Sequence, residues 1–410
     1  MKKLKKIIMI GIFAILLVPS FANAKSITTI NNQHFTQESS VEDLLLDANF
    51  NKKVKEYLIK EYGENYKQII SKNEESVEKA RKIESTFSKK NNGTVEYPNY
   101  VGGLFINEND NLVIQLVEKE VSNLKSDYLK QFSVDDSINV EYVKNSYEDL
   151  KNVHDKILNY FINKNKEGYI TGLYIDVIKN RVVVELKENN EESIKKFKDL
   201  VIDSPMVIYD NERVFSDIAS ANPGGTFTSS SNLRCSWGYR AKTSSGETGM
   251  ISAGHCFTGN GASVSGIGTV KKWKNSGSVD AAWVQTSSGT NTLAQKPPFS
   301  NETTVSTSVI TSFYTGQKIA KLGQTTGYTT GSVTNPSYTG TFGTKFTDLV
   351  LASLPASNGD SGAIVMEQTA TFNDGFKTAG IAKAVQENSP TMVFVKATRI
   401  NSEFGLSRYW

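Results

Sequence analysis

Between Ser220 and Ser231 the chain reads Ser-Ala-Asn-Pro-Gly-Gly-Thr-Phe-Thr-Ser-Ser-Ser, and its character differs on the two sides. Clusters of Pro, Gly and Ser mark exposed connections and sites of nicking. Before the cluster Lys and Glu are abundant; after it they thin out and Gly, Ser and Thr take over. A chain of 410 residues also exceeds what one hydrophobic core normally organises, so the cluster is read as a domain border, with residues 25–220 before it and 221–410 after it. Charge divides in the same place: Lys25 to Ser220 holds 27 basic and 34 acidic residues, Ala221 to Trp410 holds 15 and 9. Opposite net charge favours docking of one half on the other. Neither half has the basic run expected of a nucleic-acid binder.

Residues 1–24 have the pattern of an export signal. Met1-Lys-Lys-Leu-Lys-Lys6 is basic, Ile7 to Val18 is almost wholly apolar, and Ala22-Asn23-Ala24 is a small-x-small cleavage motif. The apolar run falls well short of the roughly 20 residues that span a bilayer as a helix. The expected product is therefore secreted, soluble and without stable membrane association. Export brings Cys235 and Cys256 into oxidising conditions, where a disulfide persists. It would close a loop worth roughly 3 kcal/mol in chain-entropy models. Two buried thiols are the alternative.

In the N-terminal half Leu44, Leu45, Val54, Leu58, Ile69 and Ile70 recur at helical spacing after a capping box at Ser39-Ser-Val-Glu42, and predict helix to about Lys90. Two similar units follow at a 69-residue offset, Tyr100-Val-Gly-Gly-Leu-Phe-Ile-Asn107 and Tyr169-Ile-Thr-Gly-Leu-Tyr-Ile-Asp176. Each precedes a polar turn and a second β-branched run, Leu112 to Val117 and Arg181 to Leu186, which together predict a hairpin. Helical patterns follow near Glu118 to Leu129 and Glu188 to Leu200, so this half is read as α+β with a duplicated hairpin-helix unit. Past the border, short runs such as Thr248 to Ser252, Ala281 to Gln285, Leu349 to Leu354 and Ala363 to Glu367 alternate with turn signals, the pattern of an all-β sandwich or barrel.

Three places in this second half carry chemistry. His255, in Ser252-Ala-Gly-His-Cys256, is its only histidine, and an imidazole is the readiest general base near neutral pH. Ser361, in Asn358-Gly-Asp-Ser-Gly-Ala363, stands between residues with little bulk, so a carbonyl could approach it while the amides of Gly359 and Ser361 converge on an oxyanion. Asp280, in Ser278-Val-Asp-Ala-Ala-Trp-Val284, heads an apolar run, and a carboxylate half-buried there needs a partner such as an imidazole nitrogen. Each alone has a structural reading: a packed histidine, a Gly-Asp turn, a strand-capping Asp. Together they follow the His, Asp, Ser order of chymotrypsin rather than the orders of subtilisin or the α/β-hydrolases.

On these residues the C-terminal half resembles the alpha-lytic protease and streptogrisin branch of the chymotrypsin-like serine peptidases. Cys235-Ser-Trp-Gly238, Ser252 to Cys256, Val279 to Val284, Lys321-Leu-Gly-Gln-Thr-Thr-Gly-Tyr-Thr-Thr-Gly-Ser-Val333 and Gly359 to Gly362 carry the likeness, and Arg399 to Leu406 is similar to the family's closing helix. The resemblance implies an all-β catalytic domain of two six-stranded antiparallel β-barrels with the active site between them. It implies endopeptidase activity through His255, Asp280 and Ser361, a Gly359 and Ser361 oxyanion hole, and a Cys235 to Cys256 bridge. The paired hairpins look like the family's α+β pro-regions, which assist folding and inhibit. Paired barrels have many non-local contacts and fold slowly, so such a template is physically sensible.

The chain also departs from the family pattern. Cysteines common at the position of Thr330 and just ahead of the serine turn are absent from the sequence, and Gln324 stands where an Arg often pairs with the equivalent of Asp360. The strand after the serine reads Ala382-Lys383-Ala384-Val385 where Ser-x-Gly is usual from the second of these positions, yet peptides are still expected to add along it. Pro355 disfavours Arg or Lys selection, and a small or apolar residue is the expected preference. The expected partners are a peptide or protein substrate and the chain's own pro-region, with a monomeric product. No metal or cofactor is called for, and His34 and His154 are read as surface residues. A catalytically inactive binding module on the same fold, and an esterase with the same acyl chemistry, are the competing readings.

Overall fold

The computed structural model describes residues 48–90, 94–121, 138–217, 227–228, 233–264, 267–286, 305–369, 376–387 and 389–408. The export signal, the capping box at Ser39, most of the border cluster and the helical pattern beyond Val121 lie outside the described residues.

The N-terminal half opens with α1 (Ala48–Tyr62) and α2 (Tyr66–Ser85). They are separated at Gly63, whose φ of +84° stops the first helix. On α2 the buried residues Tyr66, Ile70, Asn73, Ser76, Val77 and Ala80 recur three or four apart, a single inward face. A short pair, β1 (Ser88–Lys89) and β2 (Val95–Glu96), leads into the first unit. That unit holds β3 (Val101–Ile106), β4 (Leu112–Val117), α3 (Glu118–Val121) and β5 (Ile138–Val143). Next comes α4 (Tyr147–Asn163), capped by Ser146, whose Oγ accepts from the Asp149 amide. The second unit has β6 (Ile170–Asp176), β7 (Arg181–Leu186), α5 (Glu191–Leu200) and β8 (Val207–Asn211), followed by β9 (Phe215–Asp217).

Both expected hairpins are present, β3 with β4 and β6 with β7. Each has in addition a third strand that the sequence reading did not contain: β5 runs parallel to β4, and β8 parallel to β7. A parallel neighbour needs a crossover, which the chain between the hairpin and the third strand provides.

The C-terminal half begins with β10 (Phe227–Thr228) paired to β11 (Arg234–Cys235). Its first sheet is built from β12 (Arg240–Thr243), β13 (Thr248–Ser252), β14 (Ser263–Val264), β15 (Gly268–Ser276) and β16 (Val279–Thr286). Beyond it lie β17 (Val305–Val309), β18 (Lys318–Gly323), β19 (Gly327–Phe342), β20 (Thr344–Ser353), β21 (Ile364–Glu367), β22 (Phe376–Gln386), β23 (Thr391–Lys396), α6 (Ala397–Phe404) and β24 (Leu406–Arg408).

Two six-stranded antiparallel systems result. The first has the order β14-β15-β16-β13-β12-β24, so its last strand arrives only after the whole of the second system. The second runs β18-β21-β22-β23-β20-β19 and closes through pairing of β18 with β19. The expectation of two six-stranded barrels thus holds in strand number. Only the second is closed by pairing among the described residues.

The sheet of the second barrel continues into the N-terminal half. There β6 adds antiparallel to β19, with Leu173 opposite Thr339 and Gly172 opposite Gly340, and β9 adds antiparallel to β22. One apolar cluster accordingly joins Val54, Leu58 and Ile70 of α1 and α2 to Tyr328, Tyr338, Phe346 and Leu351 of the barrel. Ion pairs cross the junction in the expected sense at Lys318 with Asp110 and at Lys377 with Glu78, and in the opposite sense at Arg81 with Glu367. No helix among the described residues is long and apolar enough to cross a membrane.

Candidate active site

His255 sits on a 3-10 turn, Gly254–Cys256, directly after β13. Cys256 is disulfide-bonded to Cys235, which ties the turn to β11. The small residue before the histidine is a packing requirement. A Cβ on Gly254 would lie 2.3 Å from the Lys274 carbonyl oxygen and 2.9 Å from Asp280 Oδ1, so only glycine lets the turn rest against β15 and β16.

Asp280 is the second residue of β16 and is fully buried. Its Oδ1 accepts from the His255 amide at 2.8 Å, and its Oδ2 lies 2.6 Å from His255 Nδ1. Lys383 Nζ donates to the same Oδ2 at 2.8 Å. Burial alone would push this carboxyl up, but the adjoining His255 and Lys383 outweigh it and hold the group well below the usual carboxylate range. The other side of the imidazole faces the serine, with Nε2 at 2.7 Å from Ser361 Oγ. Three side chains remote in sequence are thereby in one hydrogen-bonded line.

The serine turn is held from two directions. Gly359 and Gly362 have φ of +103° and +82°. A Cβ on Gly359 would meet Thr325 Oγ1 at 2.2 Å, and one on Gly362 would meet Ser252 Oγ at 2.3 Å, so both positions need glycine twice over. Directly after β11, the Ser236 amide donates to the Ser361 carbonyl and Ser236 Oγ donates to the Gly359 carbonyl, each at 2.7 Å. From the other side the fully buried Asp360 anchors the loop between β18 and β19. It accepts from the amides of Thr325 (2.8 Å) and Ser357 (3.0 Å) and from Thr326 Oγ1 (2.7 Å), and it pairs with Lys321 Nζ at 3.3 Å. Lys321 is thus the partner of Asp360 that the sequence left unnamed. Burial pulls this ammonium down from its ordinary range and Asp360 offsets part of that.

The four residues expected to bind substrate are not equivalent. The Ala382 amide donates to Ala363 and its carbonyl accepts from Gly362, so its backbone serves the serine turn. Ala384 and Val385 are opposite Asp217 and Ser216 of β9, and this edge does take an added strand. Lys383 departs from the expectation. Its side chain is 1% exposed and goes to Asp280 rather than lining a peptide site. His154 also differs from its surface reading: its side chain is only 11% exposed and lies beside Asp155. His34 lies outside the described residues. Among the described residues no group of three His, Cys, Asp or Glu is placed to hold a metal ion.

Residues 58–145 match the family model described as a Pro-like N-terminal domain, and residues 148–212 match the Pro-like C-terminal domain. The gap between the two matches falls between β5 and α4, where the first structural unit ends. A comparison with curated proteins gives no match. Among solved structures the chain is similar to Cellulomonas bogoriensis chymotrypsin, with 25% identity over 43% of this chain and 91% of that one and a TM-score of 0.33. Thermobifida fusca protease A has 25% identity over 42% and 90%, with a TM-score of 0.35. Nocardiopsis protease has 20% identity over 43% and 93%, with a TM-score of 0.33.

Proposed function

We propose that the protein is a secreted serine endopeptidase made as a zymogen, with residues 1–24 as its signal, 25–220 as a pro-region that templates folding, and 221–410 as the catalytic domain. The observation that carries this reading is the continuous line Asp280, His255, Ser361, with contacts of 2.6 and 2.7 Å. In the proposed cycle Ser361 Oγ attacks a peptide carbonyl while His255 Nε2 takes the hydroxyl proton. The imidazolium so formed is stabilised by Asp280, and the amides of Gly359 and Ser361 receive the developing oxyanion. His255 then protonates the leaving amine, an acyl-enzyme remains on Ser361, and water delivered through the same base releases the acid. Extended substrate is expected to lie on the edge of β22, where β9 pairs with Ala384 and Val385. On that reading β9 blocks the cleft until the pro-region leaves.

A serine-directed phosphonate tests the proposal on protein recovered after expression of the full chain. A single adduct on Ser361, lost in Ser361→Ala together with at least about 10⁴-fold in peptide turnover, is the expected result. A fully folded protein that forms no adduct would assign it to the inactive binding-module class instead.

A further inference from the structure

Lys383 is the extra residue of a β-bulge. Ala382 is opposite Phe394 and Ala384 is opposite Val393, so no residue of β23 is left to face the one between them. A bulge re-aims a side chain, and here it sends a lysine inward. Nζ reaches Asp280 Oδ2 at 2.8 Å and stands 4.1 Å from the ring centroid of Phe346 and 5.2 Å from that of Phe342. The aromatic faces attract the cation and exclude water from the pair. We propose that Lys383 is a positioning residue that acts on His255 through Asp280 and lowers the pH above which the imidazole is free to serve as base.

The inference rests on the peptidase reading and follows from charge. A neutral histidine beside Asp280 and Lys383 belongs to a group of zero net charge, whereas protonating it adds a positive charge next to an existing one. In a water-poor site this disfavours the imidazolium. A neutral hydroxyl donor could satisfy the same lone pair of Asp280 without that penalty, so charge separates this role from mere packing. Several other charged groups on the surrounding elements are engaged elsewhere. Lys274 of β15 pairs with Glu403 of α6 at 2.8 Å, and Lys272 donates to the Phe404 carbonyl. Asp360 is paired with Lys321, and Asp348 of β20 with Lys396 and Arg399. The Arg234 side chain lies beside Gly359 of the serine turn, and its buried Nε makes no hydrogen bond among the described residues.

The test compares the parent with Lys383→Met, Lys383→Ser and Lys383→Arg, each expressed as the full chain. The rate of phosphonate labelling at Ser361 is followed against pH, a readout that depends on His255 but not on peptide binding. Both neutral variants are expected to move the acid limb of the profile up by about one pH unit, while arginine leaves it in place. Acid limbs that coincide in all four proteins would overturn the inference and leave the peptidase reading standing. Absence of adduct in the parent would overturn the peptidase reading itself. If arginine folds and neither neutral variant does, the residue belongs to folding and the inference also falls.

Discussion

Across the first hairpin Gly103 is opposite Gln115, and across the second Gly172 is opposite Glu185. The two hairpins share a bulge at the same place, after Val101 and after Ile170, and both polar residues are fully buried. Their surroundings differ. The Gln115 amide has no hydrogen-bond partner among the described residues, and its unit forms a separate three-stranded sheet. Glu185 instead accepts from Tyr338 Oη of the second barrel at 2.9 Å and pairs with Arg213 at 3.3 Å, in the unit that joins β19. Gly172 makes that approach possible, since a Cβ there would lie 2.4 Å from Glu185 Oε2 and 2.7 Å from Tyr338 Oη. One local motif, repeated, therefore serves once as a self-contained sheet and once as a splice between halves, and the residue facing the glycine marks which is which.

The largest effect should come from making the two positions alike. In a Ser361→Ala background, urea unfolding of the full chain is expected to lose about 3 kcal/mol in Glu185→Leu, because the partly buried Arg213 loses its carboxylate and the buried Tyr338 hydroxyl its acceptor. Gln115→Leu is expected to be neutral or stabilising by up to about 1 kcal/mol, since it removes an unpaired amide. Equal losses at both positions would erase the distinction. A smaller effect separates the units by pH. Burial raises the Glu185 carboxyl to about 7 from an ordinary 4.5, against the opposing pull of Arg213 and Tyr338. Its contribution is therefore complete below about 4.5 and is lost as pH rises through about 7, so the chain should resist urea better at pH 5 than at pH 8. Glu185→Gln should flatten that slope, and Gln115→Leu should not. The smallest effect belongs to the first unit's seat on the barrel, where Lys318 pairs with Asp110 and Asn73 donates to Asp110 at 2.7 Å. Asp110→Asn should cost about 1 kcal/mol at low salt and less at high salt.

Legibility in sequence tracked how local each cause is. The runs Leu112 to Val117 and Arg181 to Leu186 became β4 and β7 residue for residue, because a β-branched run beside a turn needs only its neighbour. The third strands were not legible. In β5, Asn139 and Glu141 alternate with apolar residues, and what makes it a strand is the parallel edge of β4, reached through chain outside the described residues. In the site, His255, Asp280 and Ser361 stood out through small or apolar neighbours that glycine geometry now explains at Gly254, Gly359 and Gly362. Lys321 and Lys383 did not. A lysine in a strand reads as a solvent-facing residue, and only the carboxylates of Asp360 and Asp280, brought up by other strands, turn it inward.

Because β24 completes a sheet begun with β12, the peptide backbone of the first lobe encloses the second like a clasp whose two arms meet last. A ribosome that delivers this polymer in order cannot complete the first lobe until the second has emerged, and the helices and hairpins at the front are the portion already made by then.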